Sequence, residues 1–530
     1  MPSCRAFLSL TLTVVLSGWT VTATALPPDF QDTLVTTLGS PTALAFTPDR
    51  RLLISRQGGQ LRVYQGGALL ATPALTIPAP SLCTSSEMGL LGIAVDPEFT
   101  ANNFIYLYYT ANAGGCRNRV SRFVLPATNV ISAASEVVLL DNMHATAGNH
   151  NGGDLNFGKD GYLYVSVGDG GCDYLTPFGC AGSNQAARQV NTLSGKILRI
   201  TRDAAVPPDN PWLGAGTASC RTADAANGVR CQETFAWGLR NPFRFAMDPG
   251  ALDTRFFIND VGQGLWEEID LGQKGADYGW NCREGAHTNS SSGKCSPTPP
   301  AMVDPIFEYP HAGGCGSITG GDFVPKGFWP AAHDDSFLFS DYNCGQIFEL
   351  KQVGATYSAT AFHTGPGSAV HLEFGPFGAG VALYYTNYAN GGEIRVIHYT
   401  GTGNRAPTAV IGASPLAGSP PLVVNFDATG SNDRDGDTLT YVWTFGDGAP
   451  NVETPTVTTS HTYTANGTFT AILRAKDTAG VLSDPVAVVL NVGNTPPVPT
   501  ILAPAASALF SVGQSVTLQG AATDAEDGTL

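Results

Sequence analysis

HNGGDLNFGKDGYLYVSVGDGG, the segment from His150 to Gly171, contains two short strand-like runs bounded by turn sequences. The runs LNF and LYVSV are typical of β-strands, and Asn-Gly-Gly and Gly-Asp-Gly-Gly favour tight turns. The histidine precedes the first run, where glycines let backbone and ligand approach closely. Because imidazole titrates near neutral pH, His150 is a candidate general base at the edge of a strand–turn–strand unit.

Units of this kind recur along the chain before residue 400. Each has a small apolar strand, a turn rich in Pro, Asp or Gly, a stronger aromatic or aliphatic strand, and then a third strand. The units begin at Ala43, Gly92, Asp154, Arg244, Gly321 and Leu372, and their third strands begin at Gln60, Arg119, Gly195, Glu267, Gln346 and Glu393. A small antiparallel sheet cannot bury both faces alone, so the repeats predict an all-β fold, a six-bladed β-propeller over residues 35–400.

The composition changes at about Asn404, where cysteine disappears and Pro, Thr, Ala and Val dominate. Residues 404–493 alternate strands and turns in the manner of a β-sandwich. Within them WTFGDG, from Trp443, and HTY, from His461, resemble the signatures of the PKD domain. Residues 494–530 have the pattern of a further Ig-like β module that is incomplete.

The first 25 residues combine Arg5, an apolar run and Ala23-Thr24-Ala25, which predicts a signal peptide over residues 1–25. Ten cysteines follow, all before residue 345 and without a zinc-type spacing, so we expect disulfides formed in an oxidising compartment. Pairing in sequence order is our expectation, with Cys172–Cys180 and Cys220–Cys231 closing the shortest loops. The protein is predicted to be secreted, or periplasmic, without membrane insertion.

The chain carries 28 basic and 44 acidic side chains, a formal net charge of −16. This charge argues against nucleic acid and anionic membranes as partners. Calcium is a more natural companion, because carboxylates and the carbonyls of Asp-Gly turns are its preferred ligands.

Several motifs of the first 400 residues together resemble one family. They are EMGLLGIAVDPEF from Glu87, the His150 segment, GKILRI from Gly195, WGLRNPFRF from Trp237, DVGQGLWEEID from Asp260 and DYGW from Asp277. In this order they resemble the glucose/sorbosone dehydrogenase family, whose members include soluble aldose sugar dehydrogenases dependent on pyrroloquinoline quinone (PQQ). The resemblance implies oxidation of an aldose to its lactone with PQQ and Ca²⁺ as cofactors, and an unknown electron acceptor.

The resemblance also implies roles for the residues that bind and reduce the quinone. His150 is the general base that takes the sugar hydroxyl proton, and Arg240 is the second catalytic residue, because a guanidinium favours negative charge on the quinone oxygens. The cofactor-binding set comprises Glu87, His150, Asp169, Arg240, Asn241, Ser317 and Thr319. For Asp169 three interpretations remain open, namely orienting His150, binding a substrate hydroxyl, or serving only as a hairpin turn residue.

Calcium ligands follow from the same resemblance. Backbone oxygens of Gly262 and Gln263 are implied to bind a calcium that polarises the quinone. Glu268 and the backbone of Tyr278, ten residues later, are implied to hold a second ion.

The chain departs from the glucose enzymes of this family at three places. Asn343 stands where they have a lysine for the quinone, AVHLEFGPFG from Ala369 has no arginine, and Glu87 replaces a glutamine. A non-enzymatic propeller that binds a glycan or a protein at the cell surface is therefore an alternative, and a calcium-dependent lactonase is another. In either case we expect the PKD-like domain to contact a cell surface or polysaccharide.

Overall fold

The computed structural model describes residues 26–172, 184–289, 302–389, 391–493, 498–505, 508–510, 514–524 and 528–529. The predicted signal peptide lies outside the described residues. Within them the fold is all-β, as predicted, and its one α-helix is the single turn Phe99–Asn102. Short 3₁₀ segments occur at Ala79–Ser81, Ala133–Ser135, Ala186–Arg188 and Ala331–His333.

Most of the strands described before residue 400 belong to six antiparallel sheets. In chain order we call them sheets 1 to 6. Their strands are Pro41–Phe46, Leu52–Arg56, Gln60–Gln65, Ala68–Leu69 and Leu75–Thr76 in sheet 1; Leu90–Val95, Phe104–Asn112, Cys116–Val124 and Val137–His144 in sheet 2; Leu155–Phe157, Leu163–Val167, Lys196–Ile200 and Thr234–Trp237 in sheet 3; Pro242–Met247, Phe256–Asp260, Trp266–Leu271 and Phe307–Pro310 in sheet 4; Ile318–Phe323, Phe337–Asp341, Gln346–Val353 and Thr356–His363 in sheet 5; Ala369–Phe377, Gly380–Asn387, Glu393–Tyr399 and Phe30–Thr37 in sheet 6. Two small pairs lie outside them, Thr217–Ala218 with Arg230–Cys231 and Arg283–Glu284 with His287–Thr288.

The first strand of each sheet, here the inner strand, contacts the inner strands of the neighbouring sheets. These contacts run from sheet 1 to sheet 6 and back to sheet 1, so the inner strands form a closed ring around an axis. The N-terminal strand Phe30–Thr37 pairs with Glu393–Tyr399 and completes sheet 6. This is a β-propeller-like fold in which the ring is closed by one sheet that contains strands from both ends of the ring-forming chain segment.

A separate hydrophobic cluster fills each interface between neighbouring sheets. Central strands are consequently buried on both faces, as in Leu163–Val167, where all five residues are buried. Continuous apolar strands and short polar turns are what such stacking requires, because each face of a sheet packs on a neighbour.

The disulfides agree with pairing in sequence order wherever both partners are described. Bonds join Cys83 to Cys116, Cys220 to Cys231 and Cys315 to Cys344. Cys172 and Cys282 are also disulfide-bonded. Their predicted partners, Cys180 and Cys295, lie outside the described residues.

The PKD-like region forms a sandwich of two sheets. One contains Gly412–Ser414, Leu422–Asp427 and Thr458–Tyr463; the other contains Ala417–Gly418, Val486–Val492, Gly467–Lys476, Thr440–Thr444 and Val452–Thr454. Trp443 is fully buried between them. A three-stranded sheet follows, Val498–Ala503, Gln519–Asp524 and Gly528–Thr529.

The sandwich contacts loops that join the first and second strands of sheets 4 to 6. Arg434 stacks over Phe328 and donates to the Ala379 carbonyl at 3.1 Å, and Lys326 lies 3.7 Å from Asp484. Since strands alternate in direction, these loops are at the end of the ring opposite the loops that join second and third strands. In the described residues no helix is long and apolar enough to cross a bilayer.

Candidate functional site

A cavity of about 420 Å³ lies on the ring axis where the inner strands begin. We call it the upper cavity. Its walls come from all six sheets and are formed by Thr42, Gln57, Ser86, Glu87, Leu91, His150, Gly152, Arg240, Asn241, Phe243, Arg244, Val261, Gly262, Ser317, Thr319, Tyr342, Val370 and Tyr388. Volume and polar groups of this kind are typical of small-molecule and cofactor sites.

His150 lies on the wall of the upper cavity and is paired with Asp169 behind it. Its Nδ1 lies 2.7 Å from Asp169 Oδ1, and both side chains are buried. This bond fixes Nδ1 as the protonated nitrogen when the ring is neutral and leaves Nε2 as the proton acceptor. The pair therefore has the geometry of a base with its orienting carboxylate.

Asp169 has a partner for each carboxylate oxygen. Oδ1 also accepts from the Gly171 amide at 2.8 Å, and Oδ2 accepts from Trp280 Nε1 at 2.7 Å. Burial alone would raise the pKa of Asp169, but the charge and hydrogen bond of His150, the charge of Arg240 and the Gly171 amide bring it below its usual value. Of the interpretations open for Asp169, its place behind His150 matches the orienting role; it does not line the upper cavity.

The backbone around His150 depends on glycine. His150 itself has φ 53, in the left-handed region where histidine is tolerated at a small cost. A Cβ added at Gly168 would lie 2.0 Å from the His150 carbonyl oxygen, which sterically excludes other residues there. The glycine-rich turn thus sets the position of the imidazole.

The Arg240–Asn241 peptide is hydrogen-bonded to Asp169, behind the base, and to the carboxylate of Asp260. The Asp169 amide donates to the Arg240 carbonyl at 2.8 Å, while the amides of Arg240 and Asn241 donate to Asp260 at 2.8 and 2.6 Å. The Asn241 side chain accepts from the Gly152 amide at 3.0 Å. His150 and Arg240 are therefore held by one continuous backbone network.

The Arg240 guanidinium makes no ion pair with a described residue. It donates to the Val261 carbonyl at 2.8 Å and to Gln263 Oε1 at 3.1 and 3.3 Å, and it lies 5.5 Å from the centre of the Trp280 ring. Its hydrogen bonds go to neutral acceptors, although its charge also acts on the buried Asp169 and Asp260. Such a cation on a cavity wall is suited to an anionic ligand or developing negative charge.

Arg244 supplies a second cation that the sequence analysis did not single out. It lies at the floor of the upper cavity, donates to the Thr42 and Leu91 carbonyls at 2.8 and 3.3 Å, and its buried Nε has no partner in the described part of the chain. Two arginines therefore face the upper cavity.

The other predicted cofactor residues also line this cavity. Glu87 Oε2 accepts from the His150 amide at 2.8 Å and from Asn241 Nδ2 at 3.4 Å. The Thr319 hydroxyl donates to the Ala369 carbonyl at 2.6 Å, and Ser317 is held through its amide by Asp341. Glu87 thus supports the base directly, whereas Thr319 joins two inner strands.

A buried cluster of three carboxylates lies beneath the Arg240–Asn241 peptide. Ligand oxygens of Asp260, Glu268 and Asp270 lie within 4.8 Å of one another, and Glu268 stands opposite Asp260 in the strand register. Glu268 Oε2 and both oxygens of Asp270 have no hydrogen-bond partner among the described residues. Buried charges without partners are strongly unfavourable, so this arrangement matches the oxygen shell of a divalent cation.

The pKa values of this cluster reflect the missing partners. Burial raises the pKa of Asp260 to about 7, and it raises those of Glu268 and Asp270 well above their usual values, reinforced by the neighbouring carboxylates. Tyr278 is buried nearby, and burial together with the charges of Asp270 and Glu268 raises its pKa. Asp260 and Asp270 thus join Glu268 in one cluster, and the backbone of Tyr278 stays a predicted ligand.

The loop carrying Gly262 and Gln263 is fixed by Glu284. One oxygen of Glu284 accepts the amides of Gln263, Gly264, Leu265 and Trp266 at 2.7 to 3.1 Å, and these bonds hold the pKa of Glu284 below its usual range despite burial. A Cβ at Gly262 would lie 1.6 Å from the Trp266 carbonyl oxygen. The tight turn requires glycine and places its backbone beside the upper cavity.

Sequence reasoning missed Asp260, Asp270, Trp280 and Arg244 as members of the site. Glu268 and Asp270 are two residues apart on one strand and so share a face, which is a readable signal. The positions of Asp260 and Trp280 depend on strand register and on packing between sheets, which the sequence does not display.

Comparison with known proteins places this site in a family. A family model described as Glucose / Sorbosone dehydrogenase matches residues 38–338, more than half of the chain. The chain belongs to the glucose/sorbosone dehydrogenase family. A PKD domain model matches residues 404–490, as WTFGDG and HTY predicted.

Two proteins similar to this chain are described as sugar dehydrogenases. It is 29% identical to aldose sugar dehydrogenase YliI of Escherichia coli over 270 residues, covering 49% of this chain and 63% of that protein. It is 26% identical to quinoprotein glucose dehydrogenase B of Acinetobacter calcoaceticus over 268 residues, covering 47% and 51% of the two chains. The chain thus spans less than two thirds of the length of each relative.

A solved structure shows the same fold. The PQQ-bound form of the aldose sugar dehydrogenase from Streptomyces coelicolor superposes with a TM-score of 0.53 at 22% identity, covering 71% of this chain and 99% of that one.

Proposed function

We propose that this protein is a PQQ- and calcium-dependent dehydrogenase that oxidises aldoses to lactones, with its six sheets as the blades of a propeller. One observation carries the proposal: His150, held by Asp169, lines the same cavity as Arg240, whose guanidinium donates only to neutral acceptors and forms no ion pair with a described residue. A base and a cation on the wall of one cavity are suited to removing a proton and accepting negative charge.

The upper cavity fits a quinone that carries carboxylates. Arg240 and Arg244 provide positive charge, and the unpartnered Nε of Arg244 offers a donor. These arginines partly replace the cations that the glucose enzymes of the family have and this chain lacks, namely the lysine at the position of Asn343 and the arginines in the segment from Ala369. Family membership and the quinoprotein relative support the choice of PQQ.

The carboxylate cluster fits calcium. Three acidic side chains with unpartnered oxygens supply the hard ligands that calcium prefers, and Asp260 connects the cluster to the Arg240 and Asn241 amides. A second ion would lie at the Gly262–Gln263 turn, whose carbonyls accept no hydrogen bond from the described residues.

Each residue of the proposed site has a separate role in the reaction. When bound, PQQ accepts the hydride that leaves the anomeric carbon. His150 Nε2 takes the proton of the hydroxyl on that carbon, the carbonyl of the lactone forms, and Asp169 stabilises the resulting imidazolium. Arg240 stabilises negative charge that develops on the ligand in the same cavity.

The proposal is tested by reconstitution. Purified protein is incubated with PQQ and CaCl₂ and assayed with D-glucose, other aldoses and a dye acceptor. Turnover that requires both cofactors is expected. Hydrolysis of a sugar lactone without PQQ would instead identify the lactonase, and absence of both activities with retained polysaccharide binding would identify a non-enzymatic propeller.

We also propose that the protein works outside the cytoplasm, which its disulfides support. The PKD-like sandwich packs at the end of the ring away from the upper cavity, so that cavity stays accessible to a sugar and an electron acceptor. Attachment to a cell surface or polysaccharide through the sandwich would leave the site open.

A further inference from the structure

A second cavity, of about 470 Å³, lies at the opposite end of the same axis. We call it the lower cavity. All six inner strands line it, and it opens on the face where the PKD-like sandwich packs. Arg244 belongs to the wall of the upper cavity and His371 to the wall of the lower one.

Three carboxylates line the lower cavity. Asp154 Oδ2 accepts from the Phe245 amide at 2.9 Å, and Asp322 Oδ2 accepts from the Phe374 amide at 2.6 Å. Each of these bonds joins neighbouring inner strands, so both acids have structural roles. Glu373 lies on the same wall and makes no hydrogen bond or ion pair with a described residue.

His371 provides a second, independent sign of a missing ligand. It is 7% exposed, its Nδ1 has no partner among the described residues, and its Nε2 lies 3.9 Å from Asp154 Oδ1, too far for a good hydrogen bond. Burial and the positive charge of Arg244 lower its pKa, so the ring is neutral and has a nitrogen free to accept a proton donor.

Aromatic rings line the rest of the lower cavity. They belong to Phe46, Phe157, Phe245, Phe323 and Phe374. Aromatic faces bind alkyl groups and attract cations, while the carboxylates and the imidazole accept hydrogen bonds. Burial and the charges of Asp322 and Asp154 raise the pKa of Glu373 well above its usual value, a cost that a bound cation would remove.

We propose that the lower cavity binds an organic ammonium ion, with its –NH₃⁺ group on Glu373 and His371 and its alkyl chain against the phenylalanine rings. A bare metal ion fits less well. Among the described residues, no three ligating side chains of this cavity bring their donor atoms within 4.8 Å, whereas those of the Asp260 cluster do. The –NH₃⁺ group has three donors and can join acceptors that are more widely spaced.

Isothermal titration of the full chain with 1,4-diaminobutane, in saturating CaCl₂, tests the proposal. We expect saturable binding, with none for 1,4-butanediol, which has the same length and no charge. Glu373→Gln should weaken binding about tenfold or more, because a charge-assisted bond is lost. Phe46→Leu, a milder change at the same cavity, should weaken it severalfold, and Glu453→Gln in the sandwich should leave it unchanged.

Three outcomes would overturn the proposal. They are equal binding of the diol, unchanged diamine binding in both Glu373→Gln and Phe46→Leu, and loss of binding in His150→Ala, which would place the ligand in the upper cavity. Binding of the diamine by His150→Ala with wild-type affinity supports the lower cavity.

Discussion

The His150–Asp169 pair and the Asp260–Glu268–Asp270 cluster lie on two sides of the Arg240–Asn241 peptide, and they differ in how their carboxylates are partnered. Both oxygens of Asp169 accept hydrogen bonds, whereas three oxygens of Glu268 and Asp270 accept none among the described residues. The first region is complete as folded, whereas the second leaves buried oxygens without partners. In the proposed function the chain's own residues provide the base, and calcium is expected to complete the loop that positions Arg240.

The largest effect should follow from removing the base. His150→Ala should lower kcat for sugar oxidation by about 10²–10⁴-fold, because no other described side chain of the cavity can take the proton with the same geometry. Binding of PQQ should persist, as measured by its absorbance. His461→Asn in the PKD-like sandwich is the control, and an equal loss of activity there would contradict the assignment.

Calcium should stabilise the wild-type protein through the carboxylate cluster, whereas a substitution in the cluster should stabilise only the calcium-free protein. Wild-type protein should gain about 2.7 kcal/mol in free energy of unfolding at a calcium concentration 100 times Kd. Glu268→Gln should abolish this gain while stabilising the calcium-free protein near neutral pH, since the cost of burying that carboxylate is removed. Thermal unfolding with CaCl₂ and with EDTA measures both.

Glu267→Gln is the matched control for that experiment. Glu267 is the preceding residue of the same strand, but its oxygens accept from His311 Nε2 at 2.6 Å and the Ile318 amide at 2.9 Å. The substitution Glu267→Gln should therefore destabilise the protein both with and without calcium. If Glu268→Gln and Glu267→Gln changed the stability in the same way, the presence or absence of hydrogen-bond partners on these carboxylates would not affect the free energy of unfolding.

The pH dependence of stability should also change with calcium. Burial raises the pKa of Asp260 from 3.8 to about 7, so the calcium-free folded state binds the proton more tightly than the unfolded state does. This contribution to stability is present below about pH 4 and is lost as the pH rises through 7. With calcium the carboxylates bind metal instead, and the Tm gain from CaCl₂ should grow from pH 5 to pH 8; a gain that shrinks would contradict this.

Trp280→Phe should have a smaller, more specific effect. It removes the N–H bond to Asp169 Oδ2, which makes Asp169 a stronger acceptor for His150 and should move the acidic limb of the rate profile, where the base loses its proton, to higher pH. We expect kcat to fall about tenfold. Trp329→Phe is the control, because that buried indole N–H has no described partner; a shifted profile there would contradict the role of Trp280.

The smallest effect is expected at Glu87. Glu87→Gln keeps an acceptor for the His150 amide and removes a negative charge from the cavity, so kcat should change by less than about threefold while PQQ binds more tightly. Titration with PQQ measures the affinity. Weaker binding would show that Glu87 contributes something other than repulsion.

Sequence predicted much of the fold because turns and strands repeat locally. The third strands were predicted from Gln60, Arg119, Gly195, Glu267, Gln346 and Glu393. Five of these residues lie within the third strand of a sheet, and Gly195 immediately precedes Lys196–Ile200. Fourth strands such as Val137–His144 were not predicted, since their pairing is decided by the neighbouring strand. The closing strand Phe30–Thr37 pairs with residues more than 350 positions away, so the proposed start at 35 falls inside it.

The sequence likewise predicted one part of the site and missed another. His150, Arg240 and Asn241 lie within two residues of glycine or proline in motifs whose order along the chain is visible, and the structure brings them to one cavity. Asp260 contributes through hydrogen bonds set by strand register within sheet 4, and Trp280 through a hydrogen bond to Asp169 beyond sheet 3; no local pattern encodes either.

The central claim is that His150 takes the proton as the sugar is oxidised in the upper cavity. Stopped-flow mixing of D-glucose with calcium- and PQQ-loaded protein, without a dye acceptor, measures that step in a single turnover. The wild-type protein should lose the absorbance of the oxidised quinone rapidly, and His150→Ala should retain it at equal cofactor occupancy. Loss of that absorbance at the same rate in both proteins would contradict the account.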